Sequence, residues 1–295
     1  MPLTADHFAI NPLQWVATSD GWIDPTLAPA LRERLTVIRD AGFGAIQTEV
    51  PRDMTPAQYS AVLAEYGVRP GPGYVNMPWS EDAVERRRHL DRARGLTVQN
   101  VEAGTPLMFL AMGMARNAER VLRPAVGHAA DESHLNRVRD YLAEAAVVIT
   151  AEGGTAALHP HIGTWVETLD EARFVLDSTD ADTLKFGPDT GHLAWTGADP
   201  TVAIGEYAER IGGIHIKDLH HETARRSRDE KIDYRATVLA GLWTEPGRGD
   251  ADLDGILNSL RPDFDGWVVI EVDRASTDPK ESVAASGRWL AEYLG

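Results

Sequence analysis

The stretch GGIHIKD, residues 212–218, alternates two apolar side chains with two polar ones. A period of two is typical of a β-strand, in which successive side chains point to opposite faces of the sheet. Ile214 and Ile216 would share one face, and His215 and Lys217 the other. If the polar face turns inward, this strand carries two groups that can act on a ligand.

Seven further runs have strand character, and the segments between them have helix-start signals. An N-cap residue precedes a proline at Thr55-Pro56, Asp199-Pro200 and Asp278-Pro279, and Thr168 and Glu171 have the spacing of a capping box. Strand and helix that alternate eight times predict an α/β fold, a (β/α)8 TIM barrel, as a single domain over 1–295. The eight runs are 7–15, 44–50, 68–75, 107–111, 156–161, 184–190, 212–218 and 267–273.

Two of these strands are less regular than the others. The run 68–75 carries prolines, and the short apolar run 107–111 is also compatible with a buried helix, so a doubly wound open sheet stays an alternative. The stretch 244–254 is rich in Gly and Pro, and we expect it to form a functional loop ahead of the last helix.

Composition limits the classes of function. The 295 residues include 45 acidic and 29 basic side chains, a net charge of −16 that disfavours nucleic acid as a partner. There is no cysteine, so metal ligands would have to be His, Asp or Glu. No apolar run is long enough for a membrane span or a signal peptide, which predicts a cytoplasmic protein. Whether it forms a homo-oligomer stays open.

The unusual polar residues fall at the carboxyl ends of the last four strands, where a TIM barrel has its active site. Taken singly, each has a structural explanation: a hydrogen-bonded histidine, or an aspartate that caps a helix. Taken together, one residue from each strand supplies a mixed nitrogen and oxygen set for a divalent cation, Mn or Co first and Mg or Zn as alternatives. The predicted ligands are His159, Asp189, His215 and Glu271.

Three other residues in this region are candidates for catalysis. Lys217 would act as a positive charge or proton donor toward substrate rather than as a ligand. His161 shares a face with His159 and would be the general base, with a pKa near ~6.5. His192 is an alternative acid. Asp273 would pair with Arg274 or cap the next segment, leaving Glu271 as the strand's ligand.

These motifs resemble the xylose-isomerase-like barrels, a family of sugar isomerases, epimerases and inosose dehydratases. The resemblance is greatest to the dehydratase branch and rests on DTGH (189–192), HIKD (215–218), VVIE (268–271), HPHIGTWVET (159–168) and PGRG (246–249). Most sugar isomerases of the family have Glu where His159 stands, so it stays open whether His159 is a ligand or lies behind one. The PGRG departure places Arg248 in a loop expected to face the site.

The resemblance implies a metal-dependent lyase that dehydrates a keto-polyol or oxo-sugar through an enediolate. Isomerisation or epimerisation, and β-eliminating cleavage of a 3-oxo-glycoside, are alternatives on the same scaffold. The partner is then a small-molecule polyol or sugar, whose ring would lie on Trp15, Trp165 or Trp195 and bind Glu49 and Arg248.

Two other classes of protein can be distinguished from this one. An abasic-site endonuclease would need a basic groove, which the net charge opposes. A sugar-binding barrel without activity would have lost some of the four ligands.

Overall fold

The alternating pattern folds into a closed barrel of parallel strands surrounded by helices in the computed structural model, which describes residues 3–295. The strands are β1 (Phe8–Asn11), β2 (Ala45–Ile46), β3 (Arg69–Pro70), β4 (Gly73–Met77), β5 (Leu107–Met112), β6 (Thr155–Leu158), β7 (Leu184–Phe186), β8 (Gly213–Ile216), β9 (Asp218–Leu219), β10 (Trp243–Thr244) and β11 (Trp267–Glu271).

The helices follow the strands in turn. They are α1 (Leu31–Asp40), α2 (Pro56–Ala64), α3 (Ala83–Glu102), α4 (Glu119–Leu122), α5 (Glu132–Ala151), α6 (Leu169–Asp177), α7 (Thr190–Trp195), α8 (Pro200–Glu206), α9 (His221–Glu230), α10 (Tyr234–Leu239), α11 (Leu253–Asn258) and α12 (Pro279–Leu294). None of these helices has the length and apolar composition needed to cross a bilayer.

The helix starts predicted from the sequence are confirmed. Thr55 and Thr168 form capping boxes at the start of α2 and α6. Asp199 and Asp278 cap α8 and α12, each ahead of a proline in the first turn. These caps satisfy backbone N–H groups that a helix leaves without partners, so local sequence fixes where each helix begins.

Two ladders of parallel strands make up the barrel. One has the order β3-β2-β1-β11-β8 and the other β4-β5-β6-β7. Isolated bridges from Phe186 to Ile211 and from Asp189 to His215 join β7 to β8 and close the ring. β9 and β10 form a separate antiparallel pair.

The third barrel strand, whose run 68–75 carries the prolines, is divided into two pieces. β3 pairs with β2 and β4 pairs with β5, and Gly71 and Pro72 lie between the two pieces. The run 107–111 is a strand, β5, and not a buried helix. The stretch 244–254 differs in part from the prediction, because its ends belong to β10 and α11, and the helix it precedes is α11 rather than the last one.

Apolar side chains fill the space between barrel and helices, and a smaller group fills the barrel below its polar end. Phe109 of β5 belongs to this inner group. Its ring lies 4.3 Å from the ring of His215 and 5.4 Å from that of His159, so the barrel core is the floor on which the two histidines rest.

Candidate metal centre and cavity

The carboxyl ends of β6, β7, β8 and β11 bring the predicted ligands together. His159, Asp189 and His215 are buried, and one potential ligand atom from each lies within 4.8 Å of the others. Glu271 lies beside this group, with Oε2 3.3 Å from His215 Nδ1. The four residues follow four consecutive barrel strands, which is why residues far apart in sequence converge.

His159 is held in one orientation by the neighbouring strand. Its Nδ1 lies 2.9 Å from the carbonyl oxygen of Gly187, so Nδ1 carries the proton and donates it, and Nε2 keeps its lone pair. Nε2 lies 4.0 Å from Asp189 Oδ2. Burial, with the neighbouring His215, holds the pKa of His159 well below its usual range, so the ring is neutral as a ligand must be.

Asp189 has one of the roles that its sequence context suggested, that of a helix cap, and its second oxygen lies among the other predicted ligands. Oδ1 accepts a hydrogen bond from the backbone N–H of His192 at 2.9 Å and so caps α7. Oδ2 points the other way, 3.0 Å from Lys217 Nζ and 4.0 Å from His215 Nδ1. The helix cap therefore fixes the carboxylate while its second oxygen faces the other predicted ligands.

Lys217 is enclosed by three carboxylates, and we call these four residues the site cluster. Its Nζ lies 3.0 Å from Asp189 Oδ2, 2.5 Å from Glu271 Oε1 and 2.8 Å from Asp273 Oδ1. Burial alone would lower the pKa of Lys217, but the three acids together hold it well above its usual value. The side chain is thus a buried ammonium ion.

Asp273 does not behave as the sequence suggested. It contacts Lys217, whereas Arg274 donates from Nη1 to the carbonyl oxygen of Thr18 at 2.7 Å. Burial raises the pKa of Asp273 to about 7, since Lys217 is shared with Glu271. Glu271 at the end of β11 and Asp273 just beyond it therefore both contact the same ammonium group.

His161 and His192 stack with ring centroids 3.8 Å apart, but only His161 lines the main cavity. His161 Nδ1 donates to the carbonyl oxygen of Ile162 at 2.8 Å. Burial lowers the pKa of His161 to about 4, well below the value of ~6.5 expected from the sequence, so the ring is neutral at pH 7. His192 lies fully buried behind it, with Nε2 3.3 Å from Lys217 Nζ.

A cavity of about 620 Å³ opens above the site and is of a size that holds a drug-sized ligand. Of the five residues predicted to bind substrate, Glu49 lines it. The other four do not: Trp15 packs in the core against the helices, Trp195 is fully buried near Trp243, Trp165 lines a second cavity of about 260 Å³, and Arg248 is half-exposed beside Glu245.

The opposite wall of the cavity comes from the first half of the chain, which has few recognisable motifs. Gln47, Tyr74 and Asn76 line it, and Asn11 donates from Nδ2 to Glu271 Oε2. Tyr74 packs edge-on against His159 with centroids 5.5 Å apart. The available signal was position: Asn11 and Gln47 lie at strand ends, as the recognised residues do.

Asp218 of the HIKD motif holds the loop that contains the PGRG motif. Asp218 of HIKD accepts backbone hydrogen bonds from Gly247, Gly249 and Ala251, at 2.9, 2.9 and 3.1 Å, and thereby fixes the PGRG segment. A Cβ on Gly249 would lie 2.2 Å from Asp218 Oδ1, which explains the glycine there. The loop turns Arg248 outward, contrary to the expectation that it faces the site.

The donor set fits a divalent cation. Asp189 Oδ2 has an ion-pair contact but no hydrogen bond in the described chain, and both nitrogens of His215 also lack a hydrogen-bond partner there. If all three acids of the site cluster are ionised, they exceed the Lys217 charge by two. A divalent cation would coordinate such buried ligand atoms, which lack hydrogen-bond partners. It would also neutralise the excess negative charge.

Comparison with known proteins agrees with this fold. The family model described as Xylose isomerase-like TIM barrel matches residues 35–293. An inosose dehydratase of Geobacillus kaustophilus (strain HTA426) is 27% identical over 275 residues, which are 90% of this chain and 89% of that protein.

Two solved structures share the architecture. The IolI protein with a bound zinc atom superposes with a TM-score of 0.70 at 14% identity, covering 98% of both chains. L-Ribulose 3-epimerase superposes with a TM-score of 0.70 at 18% identity, covering 97% of this chain and 94% of the other. At these identities the likeness concerns the fold.

Proposed function

The chain belongs to the xylose isomerase-like TIM barrel family, and from that premise we propose that it is a divalent-metal-dependent lyase that dehydrates a keto-polyol or oxo-sugar. The observation that carries the proposal is the convergence of His159, Asp189 and His215 within 4.8 Å at the base of a large cavity. The similarity to an inosose dehydratase over 90% of the chain supports the dehydration in particular.

The cation would be held by His159, Asp189 and His215, with Glu271 as the fourth ligand. Mn or Co suits this mixture of imidazole and carboxylate best, and Zn and Mg are the alternatives. When bound, it would stabilise the negative charge that develops on a substrate carbonyl oxygen as the adjacent C–H loses its proton.

His161 is the base in this proposal. Its Nδ1 proton is engaged by Ile162, so Nε2 is the nitrogen with a free lone pair, and the ring lines the cavity. Being neutral, the imidazole can accept the C–H proton without first losing one. Its low pKa makes it a weak base, so the proposal requires that the neighbouring carbonyl acidify the C–H.

The leaving hydroxyl group needs a proton so that it departs as water when the C–O bond breaks. Neither His192 nor Lys217 lines the cavity, whereas Asp273 does and lies 2.8 Å from Lys217 Nζ. We therefore assign the proton transfer to Asp273 on grounds of position. Lys217, with His192 at 3.3 Å behind it, is then a positioning residue that orients the three acids.

The test combines metal analysis with turnover. Protein treated with chelator and dialysed is reconstituted with Mn, Co, Zn or Mg and incubated with 2-keto-myo-inositol, and the conjugated diketone is followed by ultraviolet absorbance. We expect one metal ion per chain and metal-dependent product. His159→Gln should lose both, and His220→Gln, a half-exposed histidine outside the cavity, should lose neither. Product formed at full rate without metal would contradict the proposal.

Epimerisation or isomerisation is the second candidate, because Glu49, which follows β2, supplies a carboxylate to the cavity wall. A carboxylate there could return a proton to the substrate carbon instead of letting the hydroxyl leave. Incubation in D2O separates the outcomes: deuterium in recovered ketose without absorbance change favours epimerisation, and its loss in Glu49→Gln would implicate Glu49. β-Elimination from a 3-oxo-glycoside would instead release an alcohol.

A further inference from the structure

Three arginines line the main cavity. Arg34 comes from the first turn of α1, Arg116 from the segment that follows β5, and Arg274 from the segment that follows β11. The barrel places all three segments at the carboxyl ends of the strands or just beyond them. The proposed dehydration of a neutral polyol uses none of them.

These arginines form no close ion pair in the described chain, although the charge of Arg116 acts on Asp20 and Asp24. Arg274 donates from Nη1 to Thr18 O at 2.7 Å, and the Arg116 guanidinium lies 5.1 Å from the ring centroid of Trp22. Arg34 has a buried Nε without a hydrogen-bond partner in the described chain. None of the three forms an ion pair within residues 3–295, whereas Arg32, two residues before Arg34, is paired with Glu65.

The acids of the same cavity do not balance this charge. Glu271 and Asp273 are both engaged by Lys217, at 2.5 and 2.8 Å, which leaves Glu49 as the remaining carboxylate of the cavity lining. A buried guanidinium nitrogen without a partner, as at Arg34 Nε, is costly unless a ligand compensates it, whereas Arg116 is exposed. In a chain with a net charge of −16, such an excess is local to this cavity.

We propose that this arginine-lined part of the cavity binds an anionic substituent, a carboxylate or a phosphate, carried by the substrate. Guanidinium groups match both anions with paired, charge-assisted hydrogen bonds. A cavity of about 620 Å³ has room for such a substituent beyond a single six-carbon ring. The inference rests on the proposed function only in taking the reacting end of the substrate to lie at the site cluster.

Calorimetric titration of the purified full chain with D-glucose, D-glucuronate and D-glucose 6-phosphate tests the proposal. We expect at least one anionic sugar to bind about tenfold more tightly than glucose, and the advantage to shrink as salt rises. Arg274→Gln and Arg34→Gln, made separately, should each remove most of this advantage. Arg235→Gln should preserve it, because Arg235 is exposed near Asp20 and does not line the cavity.

Each outcome decides the matter. A preference for glucuronate alone identifies a carboxylate, and one for the phosphate alone identifies a phosphoryl group. Equal affinity for all three sugars, or an anion preference that survives both arginine variants, overturns the proposal. Because binding and not turnover is measured, failure here leaves the dehydration assay unaffected, and failure of that assay leaves this result standing.

Discussion

Two buried ionic clusters within residues 3–295 differ in the groups that contact their charged side chains. The site cluster of Lys217, Asp189, Glu271 and Asp273 lies below the main cavity, and Glu271 and Asp273 form part of its lining. A second group, which we call the Arg120 cluster, consists of Arg120, Glu167 and Glu171 and lies beside α6.

The acids of the Arg120 cluster accept hydrogen bonds from backbone N–H groups, although Arg120 Nε and Nη2 and Glu171 Oε1 have no hydrogen-bond partner in the described chain. Glu171 pairs with Arg120 at 2.7 Å and accepts from the N–H groups of Glu167 and Thr168 at 2.9 and 3.1 Å. Glu167 accepts from the N–H groups of Gly127 and Gly163, both at 2.9 Å. Each acid thereby ties one loop to another.

Buried charge alone therefore does not identify a functional site. Both clusters are desolvated, and both lie in or beside recognisable motifs. In the site cluster three carboxylates share one ammonium and adjacent histidine nitrogens lack partners, while in the Arg120 cluster the acids end on backbone amides. Histidine nitrogens and a carboxylate oxygen that lack hydrogen-bond partners and converge as a possible ligand set beside the main cavity are the more informative signal.

The largest effect we expect is on turnover in Asp189→Asn. The amide oxygen can still accept from His192 N–H and cap α7, so the fold should persist. Loss of the charge should lower kcat about a thousandfold and release the metal. Turnover and metal content by mass spectrometry check this, with Glu171→Gln in the other cluster as the control. Retained metal and activity would place the cation elsewhere.

The next effect separates the clusters by stability. Lys217→Met leaves three buried carboxylates without a counter-charge and should lower the free energy of unfolding of metal-free protein by about 3 to 5 kcal/mol. Added metal should restore much of the loss, because the cation replaces the missing charge. Thermal unfolding with and without metal measures this. A loss that metal does not reverse would make Lys217 purely structural.

Arg120→Met is the counterpart in the second cluster. It should destabilise the protein by about 3 kcal/mol, and metal should not reverse the loss. Metal content and kcat of the folded fraction should be unchanged. Arg123→Met, at an exposed residue nearby, is the control and should change the free energy of unfolding little. A fall in kcat with Arg120→Met would join the two clusters functionally.

The smallest effect concerns pH. Burial raises the pKa of Glu167 from its ordinary value of 4.5 to about 7. Between these values the folded protein keeps a proton that the unfolded chain has lost, so the free energy of unfolding should fall as pH rises through this window. Glu167→Gln should flatten the dependence, measured by urea unfolding at several pH values. An unchanged slope would mean that Glu167 is ionised throughout.

Local sequence was sufficient for the barrel and for the convergence of three of the predicted ligands. The capping residues at Thr55, Thr168, Asp199 and Asp278 act within one helical turn, so they are readable without tertiary structure. His159, Asp189 and His215 could be placed because strand ends converge by the rule of the fold.

Loop paths decided what the sequence did not reveal. Arg248 was expected at the site, but Asp218 holds its loop so that the side chain turns outward. Trp195 lies on α7, whose rotation buries it completely. Arg34, Arg116 and Arg274 share no motif, and their common cavity depends on the course of three separate segments.

The joint between β7 and β8 has a mechanical consequence. The two ladders meet there through two backbone hydrogen bonds, from Gly212 N–H to Phe186 O and from His215 N–H to Pro188 O, each 2.9 Å long. Asp189 and His215 stand on opposite sides of it. A fluctuation that separates the two ladders therefore also separates two of the proposed ligands. A metal ion bound by both ligands would oppose this separation. Amide hydrogen exchange at Gly212 and His215 would then slow on metal binding. The exchange rate at this joint would thus indicate whether the metal site is occupied.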